Sequence, residues 1–311
     1  MKITQIKYTY IFLGAILPLI VLYSGAMGQP WTIAQDTTIG MAQNIQPFSL
    51  PNTEVRQIHS RATGISYVLY VSLPHNYEKT SRGYPVLFML DADYSFAIAH
   101  NVVEHFVRRD NLEAMILVGI AYPGKSQDMR TYRINRVRDY SPSAIDSGVY
   151  SKDISVYSGG GEQFLQFIQQ ELIPFIGQEY RTSADRGIVG HSLGGLFATW
   201  TLLTSPTTFN RYIIISPSLW YDDGMIFEID HTNLRKLKGS KMAVFFGVGS
   251  HENQPSRGWP MIDDMRKMVG LLRGYQIPGL DIESQIFSNE THNSVFPAGF
   301  TRGVREVYSS F

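Results

Sequence analysis

Downstream of residue 52 the chain alternates between two kinds of apolar pattern. Thr53–Ser60 and Ile65–Leu73 switch apolar and polar positions every second residue and are rich in β-branched and aromatic side chains. A period of two marks a strand covered on one face. Tyr84–Leu90 and Ala114–Ala121 are continuous apolar runs instead, as expected of strands covered on both faces. The second half adds strand-like runs at Arg186–Gly190, Tyr212–Ile215, Lys241–Val248 and Asp281–Phe287. Between them lie segments with helical spacing: Ala97–Val107, Glu162–Ile176, Leu193–Leu203 and Trp259–Tyr275. Strands separated by helices predict an α/β fold, with a mostly parallel central sheet and helices on both faces. The first two strands, joined by a few residues, predict an antiparallel N-terminal edge. No internal repeat or low-complexity segment interrupts the pattern.

The N-terminus has a different character. Lys2 and Lys7 precede Tyr8–Tyr23, which carries no charge, and the small residues Ser24, Gly25 and Ala26 follow. A positive region, an apolar run and a small-residue cleavage site predict a secretory signal peptide over residues 1–28. The competing reading is an uncleaved anchor; Pro18 and the small residues after it favour cleavage. Residues 29–52, rich in Gln, Thr, Pro and Gly, are expected to form a poorly ordered lead-in, and 53–311 a single catalytic domain. The expected location is exported, periplasmic or secreted, with no stable membrane insertion after cleavage.

Composition narrows the function. Among 311 residues, 27 are Lys or Arg and 27 are Asp or Glu. A neutral chain without a basic run offers no electrostatic footprint for nucleic acid. There is no Cys, so disulfides, thiolate chemistry and cysteine metal sites are excluded together.

Candidate chemistry centres on Gly190-His191-Ser192-Leu193-Gly194-Gly195. Ile188-Val189 feeds this motif from a strand, and the helix from Leu193 leaves it. A Gly-x-Ser-x-Gly sequence in a sharp strand-to-helix turn presents its serine above the sheet, and the flanking glycines let neighbouring backbone pass. Ser192 is therefore the expected nucleophile. A serine hydroxyl needs a base, and in this arrangement the acid and then the histidine follow it along the chain. His231, His251 and His292 follow Ser192; His292 is the last and comes directly after the strand ending at Phe287, so it is the expected base. Glu252, the first carboxylate after the strand ending at Val248, is the expected acid, with Glu290, Asp263 and Asp264 as rivals. The oxyanion needs two donors. The Leu193 amide is one, and the loop Asp91-Ala92-Asp93 should supply the other, by the Asp93 amide or that of Ala92. Asp91 and Asp93 without a nearby His do not make a metal set, and no cofactor is expected.

At these residues the sequence resembles the putative-esterase family, which groups siderophore esterases with esterase D and S-formylglutathione hydrolase. The matching pieces are Tyr84–Asp91, Arg138–Pro142, Gly159–Leu165, Tyr180-Arg181, Ile188–Leu196, Ser216–Trp220, Gly247–Glu252, Glu290–His292 and Ser294-Val295. The resemblance implies the α/β-hydrolase fold, triad positions at Ser192, His292 and Glu252, and oxyanion positions at Leu193 and Asp93. It also implies a place for Trp220 beside the pocket. Ser216–Trp220 looks closest to the ferric-siderophore trilactone esterases of enterobactin or bacillibactin type. Ala92 departs from the family's usual glycine after Leu-Asp, which bears on the substrate and not on the mechanism. Arg130, Arg136 and Arg138 are candidates to meet an anionic substrate, against the plainer reading of solvated loop arginines.

The expected function is hydrolysis of a small-molecule carboxylic ester through an acyl-enzyme, with siderophore trilactones as one substrate class. The alternatives are a carbohydrate acyl (feruloyl or acetyl) esterase or acyltransferase, and, in another class, an inactive hydrolase-fold binding module.

Overall fold

The computed structural model describes residues 48–308 except 111, 125–127, 147–149, 238, 240, 255, 257 and 258. The expected signal peptide and all but the last five residues of the lead-in lie outside the described residues.

The elements follow the chain as β1 (Thr53–His59), β2 (Ser66–Ser72), β3 (Tyr84–Met89), α1 (Ala92–Arg109), β4 (Ile116–Ala121), α2 (Met129–Tyr140), α3 (Lys152–Ser155), α4 (Gly161–Phe167), α5 (Ile173–Glu179), β5 (Thr182–His191), α6 (Leu193–Thr204), β6 (Arg211–Ile215), α7 (Tyr221–Gly224), β7 (Met242–Gly249), β8 (Asn253–Gln254), β9 (Trp259–Pro260), α8 (Met261–Gly274), β10 (Leu280–Phe287) and α9 (Val295–Tyr308). Eight strands form one sheet in the order β1-β2-β4-β3-β5-β6-β7-β10. β2 runs antiparallel to both β1 and β4, and the remaining pairs are parallel. This is the predicted α/β-hydrolase architecture with its antiparallel N-terminal edge.

Alternating side chains of the inner strands feed two separate cores, as the pleat requires. Val86, Ile188, Ile214 and Phe246 face one side, where Phe164, Leu196, Phe197, Met265 and Leu272 cover them. Leu87, Val189, Ile213 and Phe245 face the other, under Phe96 and Val103 of α1 and Phe300 and Val304 of α9. Continuous apolar runs were needed because both faces are buried.

Three elements differ from the sequence expectation. Glu162–Ile176 is not one uniform helix: a π turn over Ile168–Leu172 separates α4 from α5. Pro174 has no N–H for the i−4 bond, and a locally wider turn absorbs that loss. The helix expected from Ala97 begins at Ala92, directly at the end of its strand. Arg130, Arg136 and Arg138 are not loop arginines; they lie on α2, whose sequence Met-Arg-Thr-Tyr-Arg-Ile-Asn-Arg-Val-Arg-Asp-Tyr carries too few apolar residues to signal a helix. Its start is capped by Asp128, whose side chain accepts from the amides of Arg130 and Thr131. Among the described residues no helix is long and apolar enough to cross a membrane.

Candidate active site

Every segment expected to contribute chemistry ends at the same rim of the sheet, beyond the carboxyl ends of β3, β5, β7 and β10. β5 runs into Ser192, and α6 leaves it. Ser192 holds φ 60° and ψ −120°, a region that costs roughly 1–3 kcal/mol for a residue with a side chain. A Cβ at position 190 would lie 2.2 Å from the Gly194 carbonyl oxygen, so only glycine allows the turn. The strained residue is pinned from three directions. Its N–H donates to Ile215 O at 3.0 Å, and its carbonyl accepts from Leu196 N at 2.9 Å and Ser218 N at 3.1 Å.

Ser192 and His292, 100 positions apart, meet with Oγ and Nε2 separated by 2.9 Å. On the other side of the ring, Nδ1 lies 2.7 Å from Glu252 Oε2. The Glu252 side chain is 1% exposed, and its second oxygen accepts from the Gly249 amide at 2.6 Å and from Ser216 Oγ at 2.7 Å. Its position is therefore set by β6 and β7 together. His251 N donates to Glu290 O and Ser250 N to Phe287 O, which ties the two loops carrying Glu252 and His292. The rival acids are engaged elsewhere: Glu290 accepts from Ser294 Oγ, Asp263 from Asn253 Nδ2, and Asp264 lies on α8.

Leu193 opens α6, and Ala92 and Asp93 open α1. The first amides of a helix have no acceptor within it, so the Leu193 N–H and the N–H groups that open α1 make no hydrogen bond inside their own helices. Asp91 precedes Ala92 in the left-handed region, at φ 56°. Its buried carboxylate accepts from Arg136 Nε at 2.7 Å and Nη2 at 3.0 Å, and from the Tyr132 hydroxyl at 3.1 Å. The Asp91 amide donates to Tyr140 Oη at 3.2 Å. Burial alone would lower the Arg136 pKa, but Asp91 and Tyr132 outweigh it and hold the guanidinium well above its ordinary value. Burial, reinforced by Asp91, pushes the Asp93 carboxyl up. Among the described residues no group of three or more His, Asp or Glu could hold a metal ion.

A cavity of about 430 Å³ opens over Ser192 and His292. Tyr150, Trp220, Trp259 and Met261 supply its apolar wall, while Ser218, His251, Gln254 and Asn293 supply polar atoms. Trp220 Nε1 donates to Met261 Sδ at 3.0 Å, and its ring lies 6.1 Å from that of Trp259. Trp220 is thus a cavity wall. Arg130 is not brought to the cavity; its exposed side chain pairs with Asp153 at 3.1 Å. Arg136 is buried against Asp91, and Arg138 chelates Asp139.

Sequence reasoning missed Ser216, Ser218, Trp259, Tyr150 and the Asp91–Arg136 pair. Ser216 and Ser218 stood in the quoted Ser216–Trp220 segment, which was the one available signal. Nothing in the spacing of Arg136 pointed to Asp91.

Comparisons with known proteins identify the family. Residues 60–261 match the family described as "Putative esterase". The chain is 32% identical over 281 residues to the ferri-bacillibactin esterase BesA of Bacillus subtilis, covering 87% of this chain and 93% of that protein. It is 26% identical to the siderophore triacetylfusarinine C esterase of Aspergillus fumigatus, covering 87% and 98%. The crystal structure of the BES protein from Bacillus cereus superposes with a TM-score of 0.76 at 27% identity, covering 86% of this chain and all of that one. From this fold and these matches, the chain belongs to the putative-esterase family and is a carboxylic-ester hydrolase.

Proposed function

We propose that the protein is a serine esterase acting through an acyl-enzyme, with Ser192 as nucleophile, His292 as general base and Glu252 as the acid that orients it. The observation that carries this reading is the unbroken chain of contacts from Ser192 Oγ to His292 Nε2 at 2.9 Å and from His292 Nδ1 to Glu252 Oε2 at 2.7 Å. His292 takes the hydroxyl proton as Oγ adds to the ester carbonyl. Buried Glu252 holds the ring in the tautomer with Nδ1–H and stabilises the imidazolium that forms. The Leu193 amide and an amide at the start of α1, that of Asp93 or Ala92, receive the oxyanion. His292 then protonates the departing alkoxide. In the second half-reaction it removes a proton from water, which attacks the acyl-enzyme and releases the acid. Every step uses side chains and amides of this chain and calls on no cofactor.

The relatives' names and the cavity support a reading of the substrate class. Two relatives are named for siderophore esters, and Trp220, Trp259 and Tyr150 offer flat apolar surfaces for an aryl-bearing acyl arm. A siderophore-type trilactone ester is the proposed substrate. Arg130 has no part in this reading. Export by cleavage after residue 28, with 53–311 as the catalytic domain, completes the proposal.

Ser192→Ala tests it. Turnover of p-nitrophenyl acetate should fall by at least about 10⁴-fold with an unchanged circular dichroism spectrum, and retained activity would refute the assignment. Comparing short aryl esters with a catecholate trilactone, with and without iron, tests the substrate.

A further inference from the structure

The geometry points to Asp91 and Arg136 as positioning residues that hold the two halves of the oxyanion site in register, with Arg136 cancelling the Asp91 charge that would oppose it. The inference rests on the reading of Ser192 as nucleophile. The donors come from separate segments: Leu193 follows β5, whereas Ala92 and Asp93 follow β3. Amide donors are effective only when aimed where charge develops, within a few tenths of an ångström. Hydrogen bonds inside each helix cannot set the spacing between the two.

Asp91 lies between them. The residue adopts φ 56° without being glycine or having a side-chain cap interaction with its own helix. That conformation persists only where surroundings over-determine it. Here they do so through Arg136 Nε and Nη2 and Tyr132 Oη on the carboxylate, and Tyr140 Oη on the amide. The same Arg136 Nη2 reaches across to the carbonyl of His191, the residue before Ser192, at 3.4 Å. A Cβ placed on Gly194 would lie 3.4 Å from Asp91 Oδ2, so the carboxylate rests directly against the first turn of α6. One guanidinium therefore grips the strand end before the first donor and the residue ahead of the second. The rings of Tyr132 and Tyr140 lie 5.5 and 5.7 Å from it and limit its movement.

Charge acts here separately from the tether. Asp91 is 1% exposed, so its anion is hardly screened by water, and it sits beside amides that must stabilise a second negative charge. Arg136 makes the pair neutral. Removing Arg136 alone should therefore hurt the reaction more than removing both partners. A pair that served packing alone would show no such order in turnover, because a buried pair replaced by apolar groups of similar volume is often neutral for stability.

The test uses the full chain and the variants Arg136→Met, Arg136→Lys, Tyr132→Phe and the double variant Asp91→Asn with Arg136→Met. Each is first titrated with a fluorophosphonate, so rates are expressed per competent serine. Arg136→Met should lower kcat for p-nitrophenyl acetate by at least about 30-fold, approaching the loss of one oxyanion donor, with KM changed less than about threefold. Arg136→Lys should recover part of that loss, and the double variant should turn over faster than Arg136→Met. An aryl trifluoromethyl ketone gives the discriminating readout. Ser192 Oγ adds to its carbonyl, the proton passes to His292, and the carbonyl electron pair becomes an oxyanion. Its affinity should fall by the same factor as kcat across the series. Should Arg136→Met fail to fold, Tyr132→Phe carries the test alone, with parallel losses of about threefold or more in kcat and ketone affinity. Lowered melting temperatures with unchanged kcat and ketone affinity per titrated site would overturn the positioning role. Wild-type protein that does not titrate with the fluorophosphonate would overturn the Ser192 reading itself.

Discussion

The imidazole of His191 lies 4.7 Å from that of His292, centroid to centroid, with the two planes at 33°. His191 is buried, and the Tyr94 hydroxyl meets its Nδ1 at 2.8 Å. Burial first, then the nearby His292 and Arg136, depresses its pKa well below the ordinary imidazole value. The ring against His292 is therefore neutral.

This has a consequence for stability against pH. A histidine titrating near 6.5 when unfolded but well below that when folded binds its proton preferentially in the unfolded chain. The stability due to the neutral ring is present above about pH 6.5 and is lost as pH falls from there toward the folded-state value, by up to ~1.4 kcal/mol per unit. Urea unfolding between pH 7.5 and 5 should show this slope, and His191→Asn should flatten it. A variant with the wild-type slope would exclude His191 as its source.

Glu252→Gln should lower kcat by about 10²- to 10⁴-fold with the fold intact. Gly249 N–H and Ser216 O–H both donate to Oε1, so the new amide oxygen takes that position and the amide nitrogen faces His292 Nδ1. The ring is then driven to the tautomer with Nε2–H, which cannot accept the Ser192 proton. Turnover within tenfold of wild type, with matching circular dichroism, would remove Glu252 from the mechanism.

Gly190→Ala should destabilise the protein by at least about 2 kcal/mol, because the atom it meets at 2.2 Å is backbone and cannot turn aside. Gly270 on α8 is the control. A Cβ there meets nothing within 4 Å, so Gly270→Ala should stabilise by roughly 0.5–1 kcal/mol. Equal melting temperatures for the two variants would contradict the close approach at the elbow.

Trp220→Ala should discriminate between substrates. The indole forms part of the apolar wall and contacts Met261 and Trp259. KM for an aryl-acyl ester should rise by about three- to tenfold, while kcat/KM for p-nitrophenyl acetate changes less. The same factor for both esters would show that the wall does not read the acyl group.

The legible parts of this molecule share one physical property. β3 and β4 are buried on both faces, so their apolar runs are unbroken. The elbow needs glycines within two residues of its serine, so it appears as a short motif. Ser192, Glu252 and His292 could be named as candidates because Ser192 directly follows β5 and the other two lie in the loops after β7 and β10, where chain order already limits the choice. α2 was not legible: its buried face includes Arg136 and Asp139, which a hydrophobic pattern counts as surface. Arg130 shared the sequence character of Arg136 yet lies out on the surface with Asp153.

Sequence by itself determined the alternation of strands and helices, the β-branched edge and the strained turn at Ser192, because those depend on neighbours a few residues away. Tertiary structure decided what each charge and aromatic ring would meet. Asp91 and Arg136 are 45 positions apart, and Glu252 accepts from the Ser216 hydroxyl, 36 positions away and just past β6. Trp220 faces Trp259 across 39 positions of chain. Those pairings arise only when the sheet stacks its strands out of chain order and brings distant loops to one rim, so no local pattern could carry them.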